Sequence, residues 1–233
     1  MKNILITGAS GQLAMEIHQE LPKSATNHYI FTTRNELDVT NVDKINAFFK
    51  KHNIELVINC AAYTNVNGSE IDKETANLVN HLAVKNIAQA CTEHKSACIH
   101  LSTDYVFSGD KNTPYTETDA TSPLGAYGQT KLLGESALQH SDIDFLILRT
   151  SWLYSAFGNN FVKNILRISK ERKELKVVFD QVSTPTYAKD LARFIIFVIE
   201  NNLYTLISLL LLSSKYATLT VACFIPKEVN SSL

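Results

Sequence analysis

The sequence predicts an α/β fold, a doubly wound parallel sheet, and three observations carry that expectation. Short apolar, β-branched runs alternate with segments of helical periodicity from Lys2 to Glu200. The connections between them are short, as in successive βαβ units. The first strand, Lys2 to Thr7, also runs straight into a glycine-bearing turn that opens a helix, and that is where such folds approach a pyrophosphate.

The elements follow in order. Ile4-Leu-Ile-Thr reads as a buried parallel strand, and Leu13, Ile17 and Leu21 give the next segment its helical period. His28 to Thr32 is a second strand. Val42 to Lys50 is a helix with Val42, Ile45 and Phe49 on one side, and Glu55 to Asn59 is a third strand. Leu78, Leu82, Ile87 and Cys91 predict a helix over Asp72 to His94, before a fourth strand at Ala97 to Ser102. A loop rich in Gly, Pro, Thr and Asp spans Ser108 to Pro123. Then come a helix at Ala126–Gln139, a strand at Asp144–Thr150, a helix at Asn159–Glu171, a sixth strand at Leu175–Phe179 and a helix at Tyr187–Glu200. Ligands of such sheets bind outside the C-terminal strand ends, where Gly8, Thr32 to Arg34, Ala61 to Thr64 and Thr103 fall.

The chain of 233 residues is long enough to bury a sizeable core, and its net charge of −1 is spread along the sequence. No nucleic-acid partner and no membrane surface is expected from that balance. Cys60, Cys91, Cys98 and Cys223 lack metal-ligand spacing, so no metal is expected and the thiols read as reduced, in a soluble cytoplasmic protein. The opening residues lead directly into a strand rather than a signal peptide. The apolar stretch Leu203–Leu212 is too short to span a bilayer.

Tyr127 and Lys131 stand one helical turn apart and share a face. A phenol titrates near pH ~10; a neighbouring ammonium favours the phenolate and brings the group toward acid–base work. A surface Tyr and Lys at this spacing is the plain alternative. Thr103 ends the fourth strand, placed either to bind a carbonyl oxygen or to cap its own backbone. Asp104 suits sugar hydroxyls or a turn cap. Gly8-x-x-Gly11-x-x-Ala14 departs from the usual dinucleotide spacing, with Ala for the third glycine. About twenty residues on, where an acidic residue would hold a ribose 2′-hydroxyl, the chain has Arg34, which suits a 2′-phosphate. Glu36 and Asp38 lie close by. The expected cofactor is therefore NADPH, with NADH also usable.

These motifs occur in a recognisable order: Gly-Ala-Ser-Gly-Gln-Leu at 8–13, Asn-Cys-Ala-Ala-Tyr-Thr at 59–64 and Ser-Thr-Asp-Tyr-Val-Phe-Ser-Gly at 102–109. Ser-Pro-Leu-Gly-Ala-Tyr-Gly-Gln-Thr-Lys-Leu-Leu-Gly-Glu at 122–135, Leu-Arg-Thr-Ser-Trp-Leu-Tyr at 148–154 and Gly-Asn-Asn-Phe-Val at 158–162 follow, and Asp-Gln-x-x-x-Pro-Thr-Tyr-Ala-x-Asp-Leu-Ala at 180–192 completes the set. Together they resemble the dTDP-4-dehydrorhamnose reductase family, extended short-chain dehydrogenases of Rossmann type. The resemblance runs from Met1 to about Glu200. It implies NAD(P)H-dependent reduction of the 4-keto group of dTDP-4-dehydro-L-rhamnose, within polysaccharide precursor synthesis. It also implies roles for residues. Tyr127 is the proton donor, Lys131 lowers its pKa and holds the ribose, and Thr103 orients the carbonyl. Gly8, Gly11, Gln12 and Leu13 cradle the pyrophosphate, Asp38 and Val39 meet the adenine, and Ala61, Ala62 and Tyr63 line the cofactor. Thr64, Val66, Asp104 and Trp152 surround the sugar nucleotide.

The implied division is a dinucleotide-binding domain at 1–150, with helix 187–200 packing back on it, and a partial sugar-nucleotide region at 151–233. The sequence departs from the family at Asn67-Gly68 and after Glu200. There Leu203-Tyr204 resembles the start of the family's next strand, and Tyr216-Ala-Thr with Ala222-Cys-Phe-Ile resembles remnants of its next helix. Glu16 matches one family magnesium position, but Lys189 stands at another, so a metal-bridged dimer is not expected, while a homodimer by other means stays open. Two other readings share the motifs: a regulatory module like the beta subunit of methionine adenosyltransferase, and a sugar-nucleotide epimerase. An inactive, C-terminally altered remnant is a further one.

Overall fold

The computed structural model describes residues 1–175 and 183–204, together with the backbone of 216–220. Its strands are β1 (Asn3–Thr7), β2 (His28–Thr32), β3 (Leu56–Asn59), β4 (Ala97–Thr103), β5 (Phe145–Thr150), β6 (Leu153–Tyr154), β7 (Thr186–Tyr187) and β8 (Tyr216–Thr220). Six of them form one parallel sheet in the order β2-β1-β3-β4-β5-β8. The sheet is doubly wound, as expected, and the direction of winding reverses between β1 and β3. A crevice opens at such a switch point, above the C-terminal strand ends.

The side-chain alternation of the strands feeds two cores. Ile4, Ile6, Leu56, Ile58, Ile99, Leu146 and Leu148 point to one face, where Leu13, Ala14 and Ile17 of α1 (Gln12–Glu20) meet Leu191, Ala192, Ile195 and Ile199 of α8 (Ala188–Glu200). Leu5, Val57, Cys98, Phe145 and Ile147 point to the other. There they meet α2 (Val42–His52), α5 (Ala83–His94) and α6 (Ala126–Gln139) through Phe49, Ile87 and Leu138. Each fully buried aliphatic side chain contributes about 1.5–3 kcal/mol. The helix over the last residues before 200 therefore packs back against the first one, across the sheet from the α5–α6 layer.

Several elements differ from the sequence expectation. The single helix expected over Asp72–His94 is α4 (Lys73–Asn77), one π-helical turn at Leu78–Leu82, and α5, and a short helix not expected from the sequence, α3 (Val66–Ile71), precedes it. The widened turn buries Asn80, whose side chain accepts from Tyr63 N (2.9 Å) and donates to Tyr63 O (3.1 Å). It thereby clamps the loop after β3, a use to which π-bulges are often put. The helix expected over Asn159–Glu171 is only α7 (Phe161–Ile168), because Asn160 caps it by accepting from Lys163 N at 3.0 Å.

Leu203-Tyr204 lies in a helical turn, not a strand. Tyr204 is 6% exposed, accepts from Lys2 Nζ and packs on the α1–α8 core, so tertiary contacts override the local β preference. Tyr216–Thr220 is a strand rather than part of a helix. It satisfies the backbone groups along β5 that would otherwise lie bare. The strand expected at Leu175–Phe179, from 176 onward, and Ala222-Cys-Phe-Ile lie outside the described residues, as do Thr205–Lys215. No helix among the described residues is long and apolar enough to cross a membrane.

Candidate active site

A cleft of about 1120 Å³ lies at the switch point, and every residue to which the family resemblance gives a catalytic, cofactor or sugar-nucleotide role lines it, as does Arg34. Its floor is the turn Gly8–Gly11. Gly8 has φ +66°, and a Cβ there would lie 2.8 Å from Ala61 N. Only glycine lets β1 and the start of the next loop come this close. Gly11 is the N-cap of α1 and makes no side-chain cap bond, and no acidic residue sits in the first turn. The free N–H groups and the positive end of the dipole thus face the cleft, ready for an anion. Gln12 is held on both sides: Asn160 Nδ2 donates to its Oε1 (2.9 Å) and its Nε2 donates to Leu153 O (3.4 Å).

At the β2 end, Arg34, Asp38 and Val39 line the wall. Asp38 accepts from Thr40 N (3.0 Å) and Thr40 Oγ1 (2.7 Å), bonds that with Arg34 hold its carboxyl below the usual range. Glu36 is bound by the backbone and hydroxyl of Thr33, both at 2.8 Å, and does not line the cleft. Arg34 is solvent-exposed, 3.9 Å from Asp38. Ala61, Ala62, Tyr63, Thr64 and Val66 form the wall after β3, with Tyr63 fixed by Asn80 as described.

Across the cleft stand the groups with chemistry. Gly128 lets α6 lie on the 3₁₀ turn Asp104–Val106, since a Cβ there would sit 2.1 Å from Tyr105 O. That packing brings Tyr127 beside Thr103, with the Tyr127 ring edge-on to Tyr105 at 5.5 Å. Burial pushes the Tyr127 phenol up to about 12, while the Thr103 hydroxyl pulls it down and Asp104 opposes that pull. Thr103 lines the cleft and also caps its own backbone, its Oγ1 accepting from Tyr105 N at 3.2 Å. Thr103 Oγ1 also donates to Asp104 Oδ1 at 3.1 Å, and Ser183 Oγ donates to Asp104 Oδ2 at 3.3 Å. Burial nevertheless raises the Asp104 carboxyl to about 6.

Lys131 is 2% exposed, and its Nζ donates to Leu101 O at 2.6 Å. Burial brings it down to about 8, against the pull of Glu135 and Cys60. Trp152 sits at φ +43°, an unfavourable conformation for a bulky residue, costing on the order of 1–3 kcal/mol. Its ring packs 5.2 Å from Phe161 at the far wall. The pairing of β6 with β7 and the bond from Ser151 Oγ to Thr184 O (2.6 Å) fix this corner.

Phe161, Ile165, Gly158, Asn159, Thr150 and Tyr105 also line the cleft. The motif at 158–162 was the available signal for three of these, Gly158, Asn159 and Phe161. It shows its role only once β5 and α7 are side by side. Glu16 is buried and accepts from Ser155 Oγ (2.8 Å), while Lys189 pairs with Glu20 (3.0 Å). Among the described residues no cluster of His, Cys, Asp and Glu has the geometry of a metal site.

The arrangement joins an anion-binding turn to a hydroxyl, a phenol and a buried lysine at the C-terminal ends of parallel strands. Comparison with known proteins places the chain in a family. The family model for the RmlD substrate binding domain matches residues 1–231. A dTDP-4-dehydrorhamnose reductase from Aggregatibacter actinomycetemcomitans is 41% identical over 200 residues, covering 86% of this chain and 68% of that protein. This chain thus spans about two thirds of that relative's length. The crystal structure of a dTDP-4-dehydrorhamnose reductase from Clostridium acetobutylicum superposes with a TM-score of 0.85 at 41% identity, over 95% of this chain and 74% of that one. A dTDP-4-dehydrorhamnose reductase from Bacillus anthracis, solved in complex with NADP, gives 0.85 at 34% identity over 95% and 75%. By its matched residues and the shared fold, the chain belongs to the RmlD substrate-binding-domain family, that of the dTDP-4-dehydrorhamnose reductases.

Proposed function

We propose that this chain reduces the 4-keto group of dTDP-4-dehydro-L-rhamnose to give dTDP-L-rhamnose, using NADPH in preference to NADH. The observation that carries the reading is the convergence of Tyr127, Lys131 and Thr103 with the Gly8–Gly11 turn on one cleft. The residues fit a dinucleotide: the Gly8–Gly11 turn lines the cleft and the uncapped start of α1 faces the same space. Gly8, Gly11, Gln12 and Leu13 would hold its pyrophosphate, Asp38 and Val39 its adenine, Arg34 a 2′-phosphate, and Ala61, Ala62 and Tyr63 its flank. Glu36, the competing acidic residue, is engaged by Thr33, which supports the preference for a phosphorylated ribose. When bound, NADPH supplies the two electrons and one hydrogen that the carbonyl carbon gains.

The chain supplies the other proton. Thr103 Oγ1 orients the carbonyl oxygen, and Tyr127, protonated across the working range, donates to that oxygen as negative charge develops on it. Lys131 favours the resulting phenolate and engages the cofactor ribose. Thr64, Val66, Asp104 and Trp152 surround the sugar nucleotide, which is the expected partner. The reading divides the chain into a dinucleotide-binding unit at 1–150, joined by α8, and a sugar-nucleotide region within 151–233. Mixing the chain with NADPH and dTDP-4-dehydro-L-rhamnose and following absorbance at the nicotinamide band tests it. Consumption of NADPH matched by formation of dTDP-L-rhamnose is expected. No loss above that without sugar nucleotide overturns the proposal.

A further inference from the structure

Behind the cleft a chain of buried polar groups crosses three strands and ends on Lys131. Thr7, Asn59 and His100 are each 2% exposed or less. Ala61 N donates to Thr7 Oγ1 (3.2 Å), and Thr7 Oγ1 lies 2.7 Å from Asn59 Oδ1. Asn59 Nδ2 lies 3.0 Å from His100 Nδ1, and His100 Nε2 lies 3.4 Å from Lys131 Nζ.

The direction of every hydrogen in this chain follows from its first link. Thr7 Oγ1 accepts from Ala61 N and gives its one hydrogen to Asn59 Oδ1, 2.7 Å away. Asn59 then presents its NH₂ to His100, and Nδ1 must be the bare nitrogen. Burial, helped by Lys131, keeps the imidazole neutral, so its single proton sits on Nε2, since the bond made by one ring nitrogen sets the state of the other. An Nε2–H opposite an ammonium is donor against donor. Opposite an amine it is a hydrogen bond.

We infer that His100, fixed in its Nε2–H tautomer by Thr7 and Asn59, is a positioning residue that favours the amine form of Lys131 over the ammonium. The inference rests on the reductase reading for its consequence in turnover. Besides Leu101 O, which accepts from Nζ at 2.6 Å, the titratable groups acting on Lys131 are Glu135, one turn along α6, and Cys60 after β3, and both favour the ammonium. Opposed in this way, Lys131 can give up and regain a proton close to neutral pH. Tyr127 loses a proton in each turnover, and the ammonium form of Lys131, still populated near neutral pH, is the one that favours its phenolate.

Two measurements test it. Long-range nitrogen–proton correlation spectra of the wild-type chain, without cofactor, show which ring nitrogen of His100 is protonated. Nε2 protonated and Nδ1 bare from pH 6 to 9 is expected; a proton on Nδ1, or an imidazolium, overturns the inference. The second uses Asn59→Asp, whose carboxylate can only accept. It draws the imidazole proton to Nδ1 and leaves Nε2 to accept from Lys131. The Lys131 titration, followed by nitrogen-15 lysine spectra and assigned with Lys131→Met, should move up by about one pH unit. The alkaline limb of kcat/KM should follow it, with kcat on the acid side changed less than about twofold. An unmoved lysine titration overturns the inference. The spectra need no turnover, so absence of wild-type reduction removes the reductase reading while still deciding this one.

Discussion

Replacing Glu135 with Gln should unfold this chain far more readily than a neutral isostere suggests. The Glu135 side chain is fully buried and that of Arg149 is 5% exposed. Arg149 Nη2 donates to Oε2 at 2.6 Å and Nε to Oε1 at 3.0 Å, and Ser102 Oγ donates to the same carboxylate. Arg149 Nη1 has no hydrogen-bond partner among the described residues, and the guanidinium lies 5.0 Å from the Phe107 ring. The carboxylate is therefore what neutralises this charge. Removing one member of a buried pair costs about 3–5 kcal/mol, a large share of the roughly 5–15 kcal/mol that holds a domain together. At about 2–4 °C per kcal/mol for a chain of this size, Tm should fall by roughly 6–20 °C. Removing both charges, as Glu135→Leu with Arg149→Met, should recover most of the loss, because well-packed apolar groups replace such pairs at little cost. Urea and thermal melts of the three chains give the comparison. A Glu135→Gln chain within about 1 kcal/mol of wild type, or a double variant no better than the single, would refute the reasoning. The pair also bears on the site, since Glu135, one turn beyond Lys131, ties α6 to β5 through Arg149 and to β4 through Ser102, next to Thr103.

Two further outcomes follow from the cleft's electrostatics. The Asp104 carboxyl titrates near 6 in the fold against 3.8 when free, so the folded state holds its proton longer and stability falls as pH rises from about 4 through 6. Ionised Asp104 costs on the order of 3 kcal/mol; Asp104→Asn should be more stable than wild type at pH 7–8 and no different below pH 4. Urea midpoints across that range check it, and parallel curves for the two chains contradict it. Arg34→Ala should weaken NADPH binding by about tenfold or more and leave NADH within about twofold, because only the phosphorylated ribose uses the guanidinium. Fluorescence titration of both cofactors reads this, and equal losses would contradict it.

Much of this was legible from local pattern. The strand at Ile4-Leu-Ile-Thr, the turn Gly8–Gly11 and the helix Ala126–Gln139 are set by residues close in sequence, and Tyr127 and Lys131 share a face simply because a helix turns every 3.6 residues. The cleft residues converge because parallel strands all end on the same side. What was not legible depends on distant partners. Nothing local marks the π turn at Leu78–Leu82, whose benefit is the bond from Asn80 to Tyr63. His100 sits in an ordinary apolar strand, and its role exists only when Thr7, Asn59 and Lys131 come from three other elements. Tyr216-Ala-Thr-Leu-Thr carries β-forming residues, yet its state was decided by the open edge of β5.

The account depends most on Tyr127 giving the proton. Tyr127→Phe removes one oxygen and leaves the cleft's shape, so NADPH should bind within about twofold of wild type while turnover of dTDP-4-dehydro-L-rhamnose falls by about 10²-fold or more. Comparing the rate of NADPH oxidation by the two chains at equal cofactor saturation is the deciding measurement. A Tyr127→Phe chain that keeps the wild-type rate would contradict the account at its centre.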